Sequence, residues 1–364
     1  MIMSDKKTKR RIEIIDIAKC IAIFMVIMGH TFTNDELLGD PPMLAKVMYS
    51  IHMPLFFFLS GLSINPKPLK TRGEWKLFFR KTILTLAVPY LVWALIYCDF
   101  SFENLGWILY GSWAALGKTG TVTSLWFLSC LFCARIIAQV IFSMLGHTKY
   151  GDGRLFYLIP AAVCLIIGAL FPPLEIGYPW CLNIAFTASA CILLGVAVLY
   201  LVIQLSVQKG WILGVLLAAS VFFYAILVKL QGDGFTIMRM FKADYGAPVF
   251  ALALALLGGF AVLLISMLLK RMADEWIPDL SLKTMVYLGQ HTMGVFLLHK
   301  PMLQSIFMPA FGKLLSGGPA LLIRLLATFA ALIVSIFLCR IIEYYIPELV
   351  GIFSKDVIAG KDPE

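Results

Sequence analysis

Charge is scarce in this 364-residue chain: only 14% of its residues are Asp, Glu, Lys or Arg, while 60% are hydrophobic and the mean hydropathy is +0.89. Soluble domains carry about a quarter charged and about half apolar residues. A sizeable soluble domain is therefore excluded, and the class is an all-α polytopic membrane protein. No repeat of fixed period and no low-complexity linker divides the chain. It reads as one domain over residues 1–364, with a basic cytoplasmic amino terminus (1–11) and a short cytoplasmic tail (343–364). No small-residue cleavage site follows the basic run 6–11, and Asp16 and Lys19 interrupt the apolar stretch behind it, so the first span is expected to stay uncleaved. The eight cysteines lie almost all inside apolar runs, and the Cys130/Cys133 pair has no second Cys or His pair at zinc spacing. They read as packing residues, and no metal site is expected.

What is present is apolar sequence at membrane length. Ten segments qualify: 12–32, 47–64, 77–98, 124–145, 155–171, 181–203, 211–228, 247–269, 285–307 and 320–342. The stretch 107–116 is too short to span and reads as a re-entrant or interfacial helix. The net charge of +9 sits in short loops beside apolar segments, the pattern that orients membrane proteins and not one that binds nucleic acid. The alternation of basic and acidic loops places both termini in the cytoplasm of a multi-pass protein of the cytoplasmic (inner) membrane, although the outer loop 229–245 carries Lys229, Arg239 and Lys242 against the rule.

The few charges left inside apolar sequence are costly and therefore informative. The first span carries Asp16, Lys19 and His30. A helix turns about 100° and rises about 1.5 Å per residue, so Lys19 and His30 fall within roughly 20° of one face and about 16 Å apart. Asp16 lies one turn before Lys19 on the same side. On the expected topology His52 and His299 reach the same outer level as His30, which makes three of the five histidines a candidate reaction centre. Each has a plainer reading: His30 as an interfacial histidine, His52 and His299 as partners for backbone freed by Pro54 and Pro301. Arg135, near the middle of the fourth span, must face a cavity or a partner. Arg11, Arg72, Lys76, Arg80 and Lys81 on the inner side could simply be anchors, or could bind a phosphate-rich anion as a cluster. Ser60-Gly61 suits close helix approach.

Arg11, Asp16, Lys19, Gly29 and His30, then His52-Met-Pro-Leu-Phe-Phe-Phe-Leu-Ser-Gly61, Pro89-Tyr90, Trp126-Phe-Leu128 and Leu298-His299 together resemble the acyltransferase-3 family of integral membrane acyltransferases, especially its fucose 4-O-acetylase-like, sugar-acetylating subset. The likeness covers almost the whole chain. The family pattern in the first span is an Arg, ten residues and a His; here Lys19 stands at the Arg position, which replaces a planar fork by a point charge. The resemblance implies transfer of an acyl group, usually acetyl, from cytoplasmic acyl-CoA as co-substrate to a hydroxyl of a glycan or lipid-linked sugar on the other face. It implies His30 as general base or nucleophile, Lys19 as a phosphate or thioester ligand fixed by Asp16, and His52, His299, Trp126 and Arg135 toward the substrate. Arg11, Arg72, Lys76, Arg80 and Lys81 would meet acyl-CoA. No permanently bound cofactor is expected. Membrane lipid is an expected partner, a homo-oligomer is open, and the chain would work alone or with a separate esterase-like partner. Buried charges also suit a transporter or exporter, although no paired halves are visible, and a non-catalytic membrane sensor is the third reading.

Overall fold

The computed structural model describes residues 13–32, 42–120, 122–146, 153–235, 238–275 and 279–360. Among these there is no strand, only helices and turns with one isolated bridge between Arg239 and Asp244. The principal helices are α1 (Glu13–Gly29), α2 (Met43–Leu62), α3 (Arg72–Tyr97, with a π-helical turn at Ile83–Ala87), α4 (Trp126–Leu145), α5 (Leu158–Leu170), α6 (Leu182–Ser206), α7 (Gly210–Gln231), α8 (Pro248–Glu275), α9 (Asp279–Gln290), α10 (Thr292–Pro301) and α11 (Ala320–Tyr345).

Among the described residues seven helices are long and apolar enough to cross a membrane. Each falls on one of the ten expected segments, and the other three depart in length or continuity. The described part of α1 has 17 residues, about 26 Å at 1.5 Å per residue. Helix α5 stops after 13 residues because Phe171 precedes Pro172 and takes an extended ψ of 126°. The expected ninth span is two helices, since His291 leaves helical geometry (φ −106°, ψ 19°) between α9 and α10. Beyond it, Pro301 cannot donate to Leu297 and its ring crowds that carbonyl. The chain continues as a π-helical turn, Met302–Phe307, and Tyr97 Oη donates to the freed Leu297 carbonyl at 2.6 Å.

Glycine sets the closest crossings. A Cβ on Gly61 would overlap the Ile192 carbonyl, and one on Gly195 would overlap that of Phe58. Helices α2 and α6 therefore meet backbone to backbone, as Ser60-Gly61 leads one to expect. Helix α1 is central and packs on α2, α8, α9, α10 and α11. The short apolar stretch 107–116 lies in two short helices, Leu105–Tyr110 and Trp113–Lys118. They join at Gly111, whose φ of 71° excludes most side chains. Tyr90 Oη fills the corner and donates to Ile108 O at 2.6 Å.

Candidate active site

Helix α1 ends against Tyr49 of α2. The Tyr49 ring lies 3.3 Å from where a Gly29 Cβ would stand, and its hydroxyl donates to the Gly29 carbonyl at 3.4 Å. The next residue, His30, is thereby set in the turn that closes α1, its amide still bonded to Val26 O at 3.1 Å. Its ring stacks on His299 of α10, centroids 5.3 Å apart and planes 29° from parallel. His52 meets Tyr49 edge-on at 5.0 Å. His30 and His52 line one cavity of about 100 Å³ together with Tyr49, Trp126, Lys300 and Gln304. His299, fully buried, forms the layer behind His30. Three helices thus bring the three histidines together. His52 stands ten residues into α2, not near its end, because that helix starts at Met43.

The backbone fixes how two of the rings are presented. His52 Nδ1 lies 2.5 Å from Met48 O, and His299 Nδ1 lies 2.8 Å from Phe296 O and 3.2 Å from Val295 O. A carbonyl only accepts, so the Nδ1 atoms donate and the Nε2 atoms carry the lone pairs. His299 Nε2 is buried without a hydrogen-bond partner among the described residues. Neither ring takes up a carbonyl freed by proline: Pro301 frees Leu297, which Tyr97 satisfies, and Pro54 frees Ser50. Lys300 Nζ donates to Thr123 Oγ1 at 2.8 Å, which aims an ammonium with two further donors at the cavity. Trp113 and Phe241 meet at a tilt of 39° with ring centroids 4.7 Å apart, and both line the same space. An imidazole that can accept a hydroxyl proton, a cation that can hold an oxyanion and a wall of aromatic faces are the parts an acyl transfer uses.

A second polar group lies toward the other end of α1. Asp16 is buried and pairs with Lys19 at 3.9 Å, and Gln290 donates to it at 3.3 Å. Lys19 also reaches Ser63 Oγ at 3.5 Å. A Cβ on Gly289 would overlap the Asp16 carbonyl, so the break between α9 and α10 is pressed against α1. At that break His291 Nε2 lies 3.3 Å from Glu343 of α11, whose other oxygen accepts from Cys339 Sγ at 3.4 Å. Asp16 and Lys19 pair at 3.9 Å, but the two side chains diverge, one toward α9 and the other toward the end of α2.

The remaining expected positions, Trp126 excepted, lie apart. Trp126 lines the cavity. Arg135 is half-buried on α4, away from the cavity lining. Arg72, Lys76, Arg80 and Lys81 are exposed on the first turns of α3; Arg80 is held by Val357 O at 2.9 Å, which ties it to the tail. Arg11 lies outside the described residues. Sequence reasoning missed Tyr49, Trp113, Thr123, Lys300 and Phe241. Lys300 had a signal, an ammonium at helix depth beside His299, but the following proline made a kink the simpler reading. The pairing of His291 with Glu343 had none, because it joins two separate helices.

No curated protein and no solved structure matches the chain. The family model described as an acyltransferase domain matches residues 12–342, a range that contains His30, His52, His299 and every helix that shapes the cavity. With helices fit to cross a membrane around a histidine-lined cavity, the chain belongs to the acyltransferase-3 family and is a membrane acyltransferase.

Proposed function

We propose that this chain is an O-acyltransferase of the fucose 4-O-acetylase-like, sugar-acetylating kind, moving acetyl from cytoplasmic acyl-CoA to a sugar hydroxyl at the outer face of the cytoplasmic membrane. Both termini then face the cytoplasm, the exposed basic turns of α3 meet the CoA phosphates, and the histidine cavity faces outward. The observation that carries the reading is the stacked His30–His299 pair beside a cavity walled by Trp126 and Lys300. His30 accepts the proton of the acceptor hydroxyl as its oxygen attacks the thioester carbonyl. Lys300 steadies the oxyanion. The carbon–sulfur bond then breaks, and the thiolate leaves with a proton as CoA thiol. Aromatic faces at Trp113, Trp126 and Tyr49 suit the apolar side of a sugar ring, while Gln304 and His52 Nε2 offer hydrogen bonds to its hydroxyls.

The test is transfer of radiolabelled acetyl from acetyl-CoA into the glycan fraction of membranes carrying the protein, with His30→Ala and Lys19→Ala at matched expression. Labelling lost with His30→Ala supports the reading; labelling that neither substitution alters removes it.

A further inference from the structure

Between Ala320 and Cys339 helix α11 carries one charge, Arg324, set among leucines and isoleucines. A guanidinium in so apolar a helix is costly. One turn from the helix end it has a plain alternative, which is to extend along its stem toward the polar rim of the membrane. The guanidinium is instead turned to the end of α1. Nη1 donates to the Thr31 carbonyl at 2.8 Å and reaches Thr31 Oγ1 at 3.5 Å. Cζ lies 4.2 Å over the centre of the Phe32 ring, a cation–π distance. Thr31 and Phe32 are the two residues that follow His30, and Phe32 lines the histidine cavity.

The register of the two helices brings this about. Phe329 meets Phe24 at 5.2 Å, Thr328 Oγ1 reaches Met28 Sδ at 3.3 Å, and Arg324, one turn on, meets Thr31. Helix α11 thus runs antiparallel along α1, and its charge arrives where α1 stops. The end of a helix needs such a partner, because its last carbonyls have no amide a turn ahead to bond them. His30, Thr31 and Phe32 already bond only three residues back, to Ile27, Met28 and Gly29, with His30 also keeping Val26. Tyr49 Oη takes the Gly29 carbonyl, and Arg324 takes that of Thr31. The carbonyls one residue before and one residue after His30 are held from two different helices.

We infer that Arg324 is a positioning residue for the acyl transfer: with Tyr49 it clamps the backbone on both sides of His30 and so holds that imidazole on the cavity wall, stacked on His299. The inference rests on the reading of His30 as the base, but the clamp can be tested without any acetyl transfer. The full chain in lipid nanodiscs is treated with diethyl pyrocarbonate, which carbethoxylates an accessible imidazole nitrogen, and the rates at His30 and His52 are followed by mass spectrometry. His52 lines the same cavity but is held by Met48 O, so it serves as the internal standard. Arg324→Met keeps the stem and removes the fork, and should change the ratio of the His30 rate to the His52 rate at least about threefold. Arg324→Lys restores one donor and the cation and should bring the ratio back toward native. In acetyl transfer, Arg324→Met should lower kcat about tenfold with the KM for acetyl-CoA unchanged, because a displaced ring loses rate and not donor binding. Should Arg324→Met fail to fold, the shorter and neutral Arg324→Gln takes its place, with thermal unfolding as the control. A native ratio in the neutral variant would overturn the inference whatever the unfolding midpoint does, since Arg324 would then be a structural contact alone. If the native chain transfers no acetyl yet the ratio shifts, the acetylation reading falls and the clamp stands.

Discussion

His30 and His299 lie face to face, 5.3 Å between ring centres, held by two unrelated devices. Tyr49 closes the end of α1 behind His30, and two backbone carbonyls of α10 fix the His299 ring. The pair is thus preorganised before any substrate arrives, with one ring on the cavity wall and the other buried beneath it.

If His30 is the base, its removal takes away the acceptor of the hydroxyl proton. His30→Ala is expected to lower acetyl transfer about a hundredfold or more, the usual contribution of a positioned base. Thermal unfolding should change little, because the turn at His30 is fixed by backbone bonds and by Tyr49. A variant that loses activity and stability in equal measure would argue for a structural role.

Lys300 is placed to act on charge that develops during the reaction. Lys300→Met keeps the stem and removes the donor, and should lower kcat by about a hundredfold, the scale of a lost oxyanion donor, with a smaller change in KM. Thr123→Val removes only the oxygen that positions the ammonium and should have a weaker effect in the same direction. A KM change alone in both would place Lys300 in binding and not in the chemical step.

Tyr97 supports the site from outside it. Tyr97→Phe leaves the Leu297 carbonyl, freed by Pro301, without its donor. Leaving a buried acceptor unpaired costs about 1–3 kcal/mol, so the midpoint of thermal unfolding should fall, and activity should fall with it because α10 carries His299. An unchanged midpoint would show that the π-helical turn finds another donor.

The α2–α6 crossing should tolerate little change, because two glycines meet backbone there. Gly195→Leu forces a side chain into the Phe58 carbonyl and is expected to cost about 1–3 kcal/mol or to prevent folding, seen as loss of folded protein in detergent. Gly259→Ala, a few turns along the neighbouring helix α8, should leave stability equal or slightly raised. Equal behaviour of the two variants would remove the close-crossing argument.

Much of this could be read along the chain. Scarcity of charge set the class, long apolar runs located helices, Ser60-Gly61 marked a crossing, and the position of His30 at the end of an apolar run singled out its ring. Each of these is a property of one segment against water or lipid, which composition and period record directly. The failures share a cause. Hydropathy could not detect the break at His291, because the break is held by Asp16, Gln290 and Glu343 across separate helices. Nor could it assign Lys300 to Thr123, or Tyr97 to the carbonyl that Pro301 frees.

The sequence by itself determined that this is a helical membrane protein with ionisable side chains at costly depths, because the transfer of each side chain out of water is a local quantity. Only the tertiary structure decided which of those side chains meet. Stacking His30 on His299 and walling the cavity beside them with Trp126 and Lys300 depend on the register and crossing of whole helices. Those are fixed by contacts between residues far apart in the chain.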